Sequence, residues 1–318
     1  MAILGCGTMG TAILDGILRT LTLASPSSSA QLRPSRFIAC VNHAESVKRL
    51  ERHYAQFFGS TPSPVQISVW QNKTAEAVKQ ANIILLACQP SQAAKILGDP
   101  LARGHFSHKL LLNICVGVSV SRIHEMLYGG PNAQQPPPEE RAYVVHAMPN
   151  TASTISQSAT VLSSEGSEHI PPEHEEMARW ILTSIGTVTA AAPSLMNAAS
   201  VTGASTIAFF ATTLSGVVKG AIETGLPEED AIQLAAQAMK GTAELVLRGE
   251  QPLKVRDRVM TPNGCTEKGV NALQNGRVEE VFVEAMKQAV ERVFELGRES
   301  SKEQLSGLNL TQRWVGVM

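Results

Sequence analysis

Two stretches of this sequence hold residue types at a spacing that chemistry could use. In Gly5-Cys6-Gly7-Thr8-Met9-Gly10 the glycines follow a short apolar run, Ala2-Ile3-Leu4, and open a helical pattern from Thr11 to Leu21. A strand that feeds a helix through G-x-G-x-x-G turns tightly and lets a pyrophosphate approach the backbone. The phosphate charge then sits on the free N–H groups of the helix's first turn. Ordinary turns also collect glycines, so the surrounding elements have to decide. The second stretch, Arg256 to Thr266, sets a Pro262-Asn263-Gly264 turn beside hydroxyls, at the head of a helix expected to begin near Glu267. Backbone N–H groups at such a helix start can hold a carboxylate. A plain helix–helix turn capped by Thr266 would use the same residues.

Strand ends supply the other candidates. Arg36 to Val41 reads as a strand that delivers Asn42-His43 to the position where a dinucleotide fold discriminates between its cofactors. A carboxylate there would bind the ribose hydroxyls of NAD and repel a 2′-phosphate. Neither residue is acidic, and Lys48 or Arg49 adds positive charge from the next helix, which favours NADPH and leaves NADH open. Asn42 as a simple helix N-cap is the structural alternative. Gln71-Asn72-Lys73-Thr74 precedes a further helix. Ala81 to Cys88 reads as a fully buried parallel strand ending in Gln89-Pro90. Lys109 to Cys115 runs into Val116-Gly117, where the glycine serves either close approach of a nicotinamide ring or a positive-φ turn. His146, in the strand pattern Arg141 to Thr151, is a possible acid or ligand. A single histidine in an apolar strand is more often a hydrogen-bonded core residue.

These elements define an organisation. Alternating strands and helices up to about residue 192 give a doubly wound α/β Rossmann-type domain, with the site at the carboxyl ends of its strands. Thr160-Val161-Leu162 and Gly186 to Thr189 flank an amphipathic helix from Pro172 to Ser184 and extend the sheet. Ala24 to Ser29 reads as a surface loop and Tyr128 to Glu140 as a solvated excursion. Residues 193–318 read as an all-α domain: a long apolar helix from Leu195 to Thr224, another begun by Pro227 and three acids, and a last one with Val278, Val281, Phe282, Ala285, Ala289, Val293 and Phe294 on one stripe. Apolar faces without a sheet to cover imply a partner subunit.

Composition narrows the function classes. The 318 residues are 43% hydrophobic with a formal net charge of −1, enough for two cored domains and without an electrostatic footprint for nucleic acid or anionic membrane. Five cysteines with no C-x-x-C read as reduced thiols. Apolar stretches read as interrupted short of a membrane span, and no export leader is visible, so a cytoplasmic protein is expected.

Taken together, Ile3 to Gly10, Ala87-Cys88-Gln89-Pro90, Met148-Pro149-Asn150-Thr151 and above all Arg256 to Gly269 resemble the pyrroline-5-carboxylate reductases, in a fungal-like form that diverges around the substrate. The resemblance covers nearly the whole chain. It implies an NAD(P)H-dependent imine reductase that makes proline, with a Rossmann domain and a helical domain that dimerises, or builds an oligomer of dimers, and completes the site. It places Gly5, Cys6, Gly7, Thr8, Met9 and Gly10 on the pyrophosphate, and Asn42, His43 and Asn72 near the adenosine half. Ala87, Cys88, Gln89, Pro90, Cys115, Val116 and Gly117 fall beside the nicotinamide. Pro262, Asn263, Gly264, Cys265, Thr266 and Arg258 fall on the substrate, a small cyclic imine, with the Thr266 hydroxyl on the ring nitrogen as the catalytic contact. No metal is implied.

Four departures fall around the substrate. The family usually has Val-Lys-Pro where this chain has Cys88-Gln89-Pro90, and arginine at His146. It has Ser-Gly-Ser-Gly-Pro-Ala-Tyr at Thr202 to Ala208, and Ser-Pro-Gly-Gly-Thr-Thr at Thr261 to Thr266. A reductase of a substituted pyrroline in specialised metabolism and a non-catalytic NADPH-binding sensor therefore stand as alternatives. The glycine fingerprint alone would also fit a hydroxyacid dehydrogenase. That class expects a lysine early in the first helix after the cofactor domain, whereas Thr202 to Phe210 carries none and Lys219 comes late.

Overall fold

The computed structural model describes residues 1–23, 33–57, 65–130 and 133–312. The expected loop Ala24 to Ser29 lies outside them, as do residues 131 and 132 of the Tyr128–Glu140 excursion.

Eight strands form one sheet: β1 (Ala2–Leu4), β2 (Arg36–Val41), β3 (Gln66–Gln71), β4 (Ile83–Leu86), β5 (Leu110–Asn113), β6 (Tyr143–Met148), β7 (Ser158–Ser163) and β8 (Gly186–Ala191). Their order is β3-β2-β1-β4-β5-β6-β7-β8. All neighbours are parallel except β6 and β7, where Met148 pairs with Val161 in the opposite sense. The order reverses on either side of β1, and that switch point opens a crevice at the carboxyl ends of β1 and β4.

Helices cover both faces of the sheet, which is why its central strands are continuously apolar. On one face Ile3, Leu85 and Leu112 pack against Ile13, Leu14 and Ile17 of α1 (Thr8–Leu23) and Ile181 and Leu182 of α7 (Pro172–Thr183). On the other, Leu4, Ile84 and Leu111 meet α3 (Thr74–Gln80), α4 (Pro90–Leu97) and α6 (Val120–Tyr128) through Val78, Leu97 and Ile123. Each of these fully buried side chains stabilises the fold by about 1.5–3 kcal/mol relative to exposure. α2 (Ala44–His53) follows β2, and α5 (Pro100–Arg103) is a single turn capped by Asp99. Strand β3 has no counterpart in the sequence reading, because Gln66-Ile67-Ser68-Val69-Trp70-Gln71 alternates as an edge strand does and contributes only Ile67 to the buried core.

After β8 the described chain is helical: α8 (Met196–Ser200), a π turn (Val201–Ser205), α9 (Thr206–Glu223), α10 (Glu228–Leu247), α11 (Pro252–Val259), α12 (Cys265–Asn275) and α13 (Val278–Gln312). Pro227 is the N-cap of α10 rather than its first residue. Two compact units result, residues 1–204 joined by the chain from Arg292, and residues 205–291. α8 and the π turn stay with the sheet: Met196 packs on Met148 and Val161, and Asn150 Nδ2 donates to Gly203 O at 2.7 Å. In the second unit α9 carries no buried residue, and Phe210 and Val217 are each 54% exposed. The run Pro193–Glu223 is, contrary to the sequence expectation, long and apolar enough to cross a membrane by length and composition. Scattered threonines and glycines disguise its length in the linear sequence.

Candidate active site

The glycine turn is built as its spacing requires. Gly5 has φ +89°, and a Cβ there would lie 2.7 Å from Cys88 Cα and 2.8 Å from Cys88 N. Gly10 brings α1 onto β1 so closely that a Cβ would meet Ile3 Cγ2 at 2.9 Å. At Gly7 a Cβ would meet nothing within 4 Å, so the backbone there faces open space. The amides of Gly5 and Cys6 are anchored on Cys40 O at 3.2 and 2.9 Å, and the helix's hydrogen bonding begins with Thr11 N to Gly7 O. The amides of Thr8, Met9 and Gly10 precede that bond, at the positive end of the helix. Open space at Gly7 over first-turn amides is the shape and charge that a dinucleotide pyrophosphate fits. The Cys6 thiol is buried within the turn, 3.8 Å from Thr11 Oγ1, and burial pushes it up to about 11.

Asn42 and His43 are exposed at the end of β2. The N-cap of α2 is His43, not Asn42, and its side chain makes no capping bond. Arg49 reaches back from α2 to the glycine turn, with Nη2 donating to Cys6 O at 3.0 Å and Nη1 to Thr11 Oγ1 at 3.5 Å. A guanidinium is thereby held between the turn and the β2 end. Asn72 adopts φ +53° beyond β3, with its amide on Val41 O at 3.0 Å.

Two loops meet beyond β4 and β5. Ala87 N is held by Leu4 O at 2.9 Å, Gln89 is the N-cap of α4 and Pro90 its first residue. Gly117 has φ +72°, so the turn explanation of that glycine holds, and Val116 beside it is exposed. Asn113, which the sequence reading passed over, ties this loop down: Oδ1 accepts from Cys115 N at 2.9 Å and Nδ2 donates to Val118 O at 2.7 Å. An asparagine closing the apolar run Leu110-Leu111-Leu112 was the available signal in the sequence, and in the fold it is fully buried.

His146 is 7% exposed on β6, and its buried Nε2 has no hydrogen-bond partner. The core reading of this residue holds, without the hydrogen bond expected of it. Desolvation lowers its pKa from 6.5 to about 4, against a smaller opposing effect of Glu165. Between those values the unfolded chain binds a proton that the folded chain refuses. Its contribution is therefore complete above pH 6.5 and is lost as pH falls toward 4, by on the order of 3 kcal/mol. A His146→Leu variant is expected to keep more of its stability at pH 5, read as a smaller drop in denaturation midpoint between pH 7.5 and pH 5.

The loop 261–266 stands in the helical unit. Asn263 has φ +60°, a conformation that asparagine tolerates better than most side chains, which accounts for asparagine where the resemblance expects glycine. Its amide donates to Glu267 Oε2 at 2.7 Å. Gly264 is the N-cap of α12, and a Cβ there would lie 2.3 Å from Thr261 Oγ1. Thr266 is therefore not the cap: it lies in the first turn of α12, half-buried, beside the amides of Cys265 and Glu267. Arg258 Nη1 is paired with Glu250 Oε2 at 2.8 Å. Replacing Asn263 with alanine is expected to destabilise by about 1 kcal/mol through the left-handed backbone, and Asn263→Gly to be nearly neutral, both measurable by urea unfolding.

Comparison with known proteins matches residues 193–296 to the pyrroline-5-carboxylate reductase dimerisation family, and residues 1–117 to the NADP oxidoreductase, coenzyme F420-dependent, family. A pyrroline-5-carboxylate reductase of Lophium arboricola is 35% identical over 306 residues, 94% of this chain and 93% of that protein. One from Neurospora crassa is 36% identical, covering 91% and 90%. Among solved structures, a pyrroline-5-carboxylate reductase from Coxiella burnetii has a TM-score of 0.73 at 21% identity, covering 93% of this chain and 97% of that one. The Plasmodium falciparum pyrroline carboxylate reductase with NADP bound has a TM-score of 0.70 at 19% identity, with the same coverage.

Proposed function

Since this chain belongs to the pyrroline-5-carboxylate reductase family, we propose that it reduces the C=N bond of 1-pyrroline-5-carboxylate to proline in the cytoplasm, as a homodimer and with NADPH as its preferred reductant. The observation that carries this reading is the 35% identity to a pyrroline-5-carboxylate reductase over 94% of the chain.

In this reading residues 1–192 hold the cofactor and residues 193–318 bring the substrate loop and the dimer contact. When bound, the nicotinamide supplies the hydride. The chain's own tasks are alignment, charge placement and a proton for nitrogen. First-turn amides of α1 hold the pyrophosphate, Arg49 and His43 meet the 2′-phosphate, and Ala87–Pro90 with Cys115–Gly117 wall the nicotinamide. The first-turn amides of α12 take the substrate carboxylate, and the Thr266 hydroxyl bonds the ring nitrogen.

A second reading is favoured by Ser205, Thr206 and Ala208, from the end of the π turn into α9, where the family's glycine, proline and tyrosine are replaced: a substituted pyrroline carboxylate as substrate. Oxidation of NADPH, followed by its near-ultraviolet absorbance, is expected with 1-pyrroline-5-carboxylate and to be slower with NADH. Activity confined to substituted pyrrolines would select the second reading, and silence on all imines despite cofactor binding would refute both.

A further inference from the structure

We propose that Cys88 and Cys115 are a peroxide-sensitive thiol pair whose reversible oxidation to a disulfide closes the cofactor site. This rests on the reading above that these two loops wall the nicotinamide.

Strands β4 and β5 pair Leu86 with Asn113, and each cysteine lies two residues beyond that pair. Neighbouring strands run about 4.8 Å apart, within the ~4.4–6.8 Å of Cα separation that a disulfide spans. The sulfurs are 3.9 Å apart, and Cys115 Sγ donates to Cys88 O at 3.3 Å. Closing about 2 Å between the sulfurs, by side-chain rotation together with a shift of the two loops, would join them.

The pair is asymmetric. Cys88 is half-buried, and the hydrogen bond from Cys115 draws its thiol below the ordinary value, while Cys115 is buried and raised. Cys6 and Cys40 are buried and pushed up to about 11 and about 12, which leaves them inert. Cys88 thiolate attacks hydrogen peroxide: an S–O bond forms, the O–O bond breaks, and the departing hydroxide is protonated to water. Cys115 sulfur then attacks Cys88 sulfur: the S–S bond forms, the S–O bond breaks, and the hydroxyl leaves as a second water carrying the Cys115 proton. Two thiols lose two electrons and two protons, and one peroxide becomes two waters. The crosslink draws Ala87–Pro90 toward Cys115–Gly117. Because Cys88 backbone lies against the Gly5 turn, within 2.7 Å of where a Cβ would stand, its movement also disturbs the pyrophosphate seat.

The test uses the full chain, reduced, treated with hydrogen peroxide and quenched by thiol alkylation. Peptide mapping without reductant is expected to join the Cys88 and Cys115 peptides with loss of two hydrogens. NADPH affinity, titrated by fluorescence, is expected to fall at least about tenfold and return with dithiothreitol. In Cys115→Ser, peroxide should leave Cys88 as a sulfenic acid trapped by dimedone. In the double variant Cys88→Ser/Cys115→Ser, affinity should be the same before and after peroxide, each protein being compared with its own reduced form. Absence of the joined peptide, or its formation with unchanged NADPH affinity, overturns the proposal. Failure of the reduced protein to bind NADPH would instead overturn the cofactor reading, while the peptide map still decides the thiol pair.

Discussion

Gly5→Ala is expected to abolish NADPH binding and to cost the fold at least about 3 kcal/mol, because a non-glycine residue at positive φ is strained and its Cβ meets backbone rather than a yielding side chain. The clash is with Cys88 Cα and N, backbone atoms two residues beyond the end of β4. Either the turn opens or β1 and β4 separate, and both outcomes spoil the crevice. Gly7→Ala makes the contrast. Nothing lies within 4 Å of the added methyl, so the urea midpoint should not move. The methyl would stand where the pyrophosphate approaches, so the KM for NADPH should rise at least about tenfold. Equal destabilisation by the two substitutions would refute the assignment of separate structural and ligand-facing roles.

Thr266→Ala is expected to lower kcat by about a hundredfold while leaving NADPH affinity and the unfolding midpoint nearly unchanged. The residue is in the first turn of α12 but is not its cap, so its hydroxyl is not spent on starting the helix. Removal should leave α12 intact and take away the hydrogen bond to the ring nitrogen as it gains its proton. Thr266→Ser keeps the hydroxyl and should retain most of the rate. An alanine variant with unaltered kcat would remove Thr266 from the chemistry and leave the substrate's own protonated nitrogen as the sufficient proton source.

Much of this was legible in the sequence because local rules and the fold agree there. The glycine turn, the buried strands at Ile83–Leu86 and Leu110–Asn113, and the helical remainder all follow from spacing and apolar pattern. What escaped depends on partners distant in sequence. β3 is recognisable as a strand only beside β2, and Asn113 matters only through the loop it ties. Arg49 was expected near the adenosine half, but its bond to Cys6 O exists only because α2 folds back onto the turn. Both capping alternatives, Asn42 and Thr266, fail because the geometry of the turn sets the cap one or two residues away: His43 caps α2 and Gly264 caps α12. The contact of Cys88 with Cys115 spans 27 residues and depends on strand pairing, which neither cysteine's neighbours specify.

Helix α9 keeps none of its residues buried within one chain, although it is among the most apolar segments of the protein. A second copy of this chain, which the dimerisation-family match implies, is the surface expected to cover it, and the folding of this unit is then expected to be second order in protein. Dilution then acts on it as a denaturant: the unfolding midpoint becomes a function of how many copies share the solution, and a value measured at one concentration does not carry over to another.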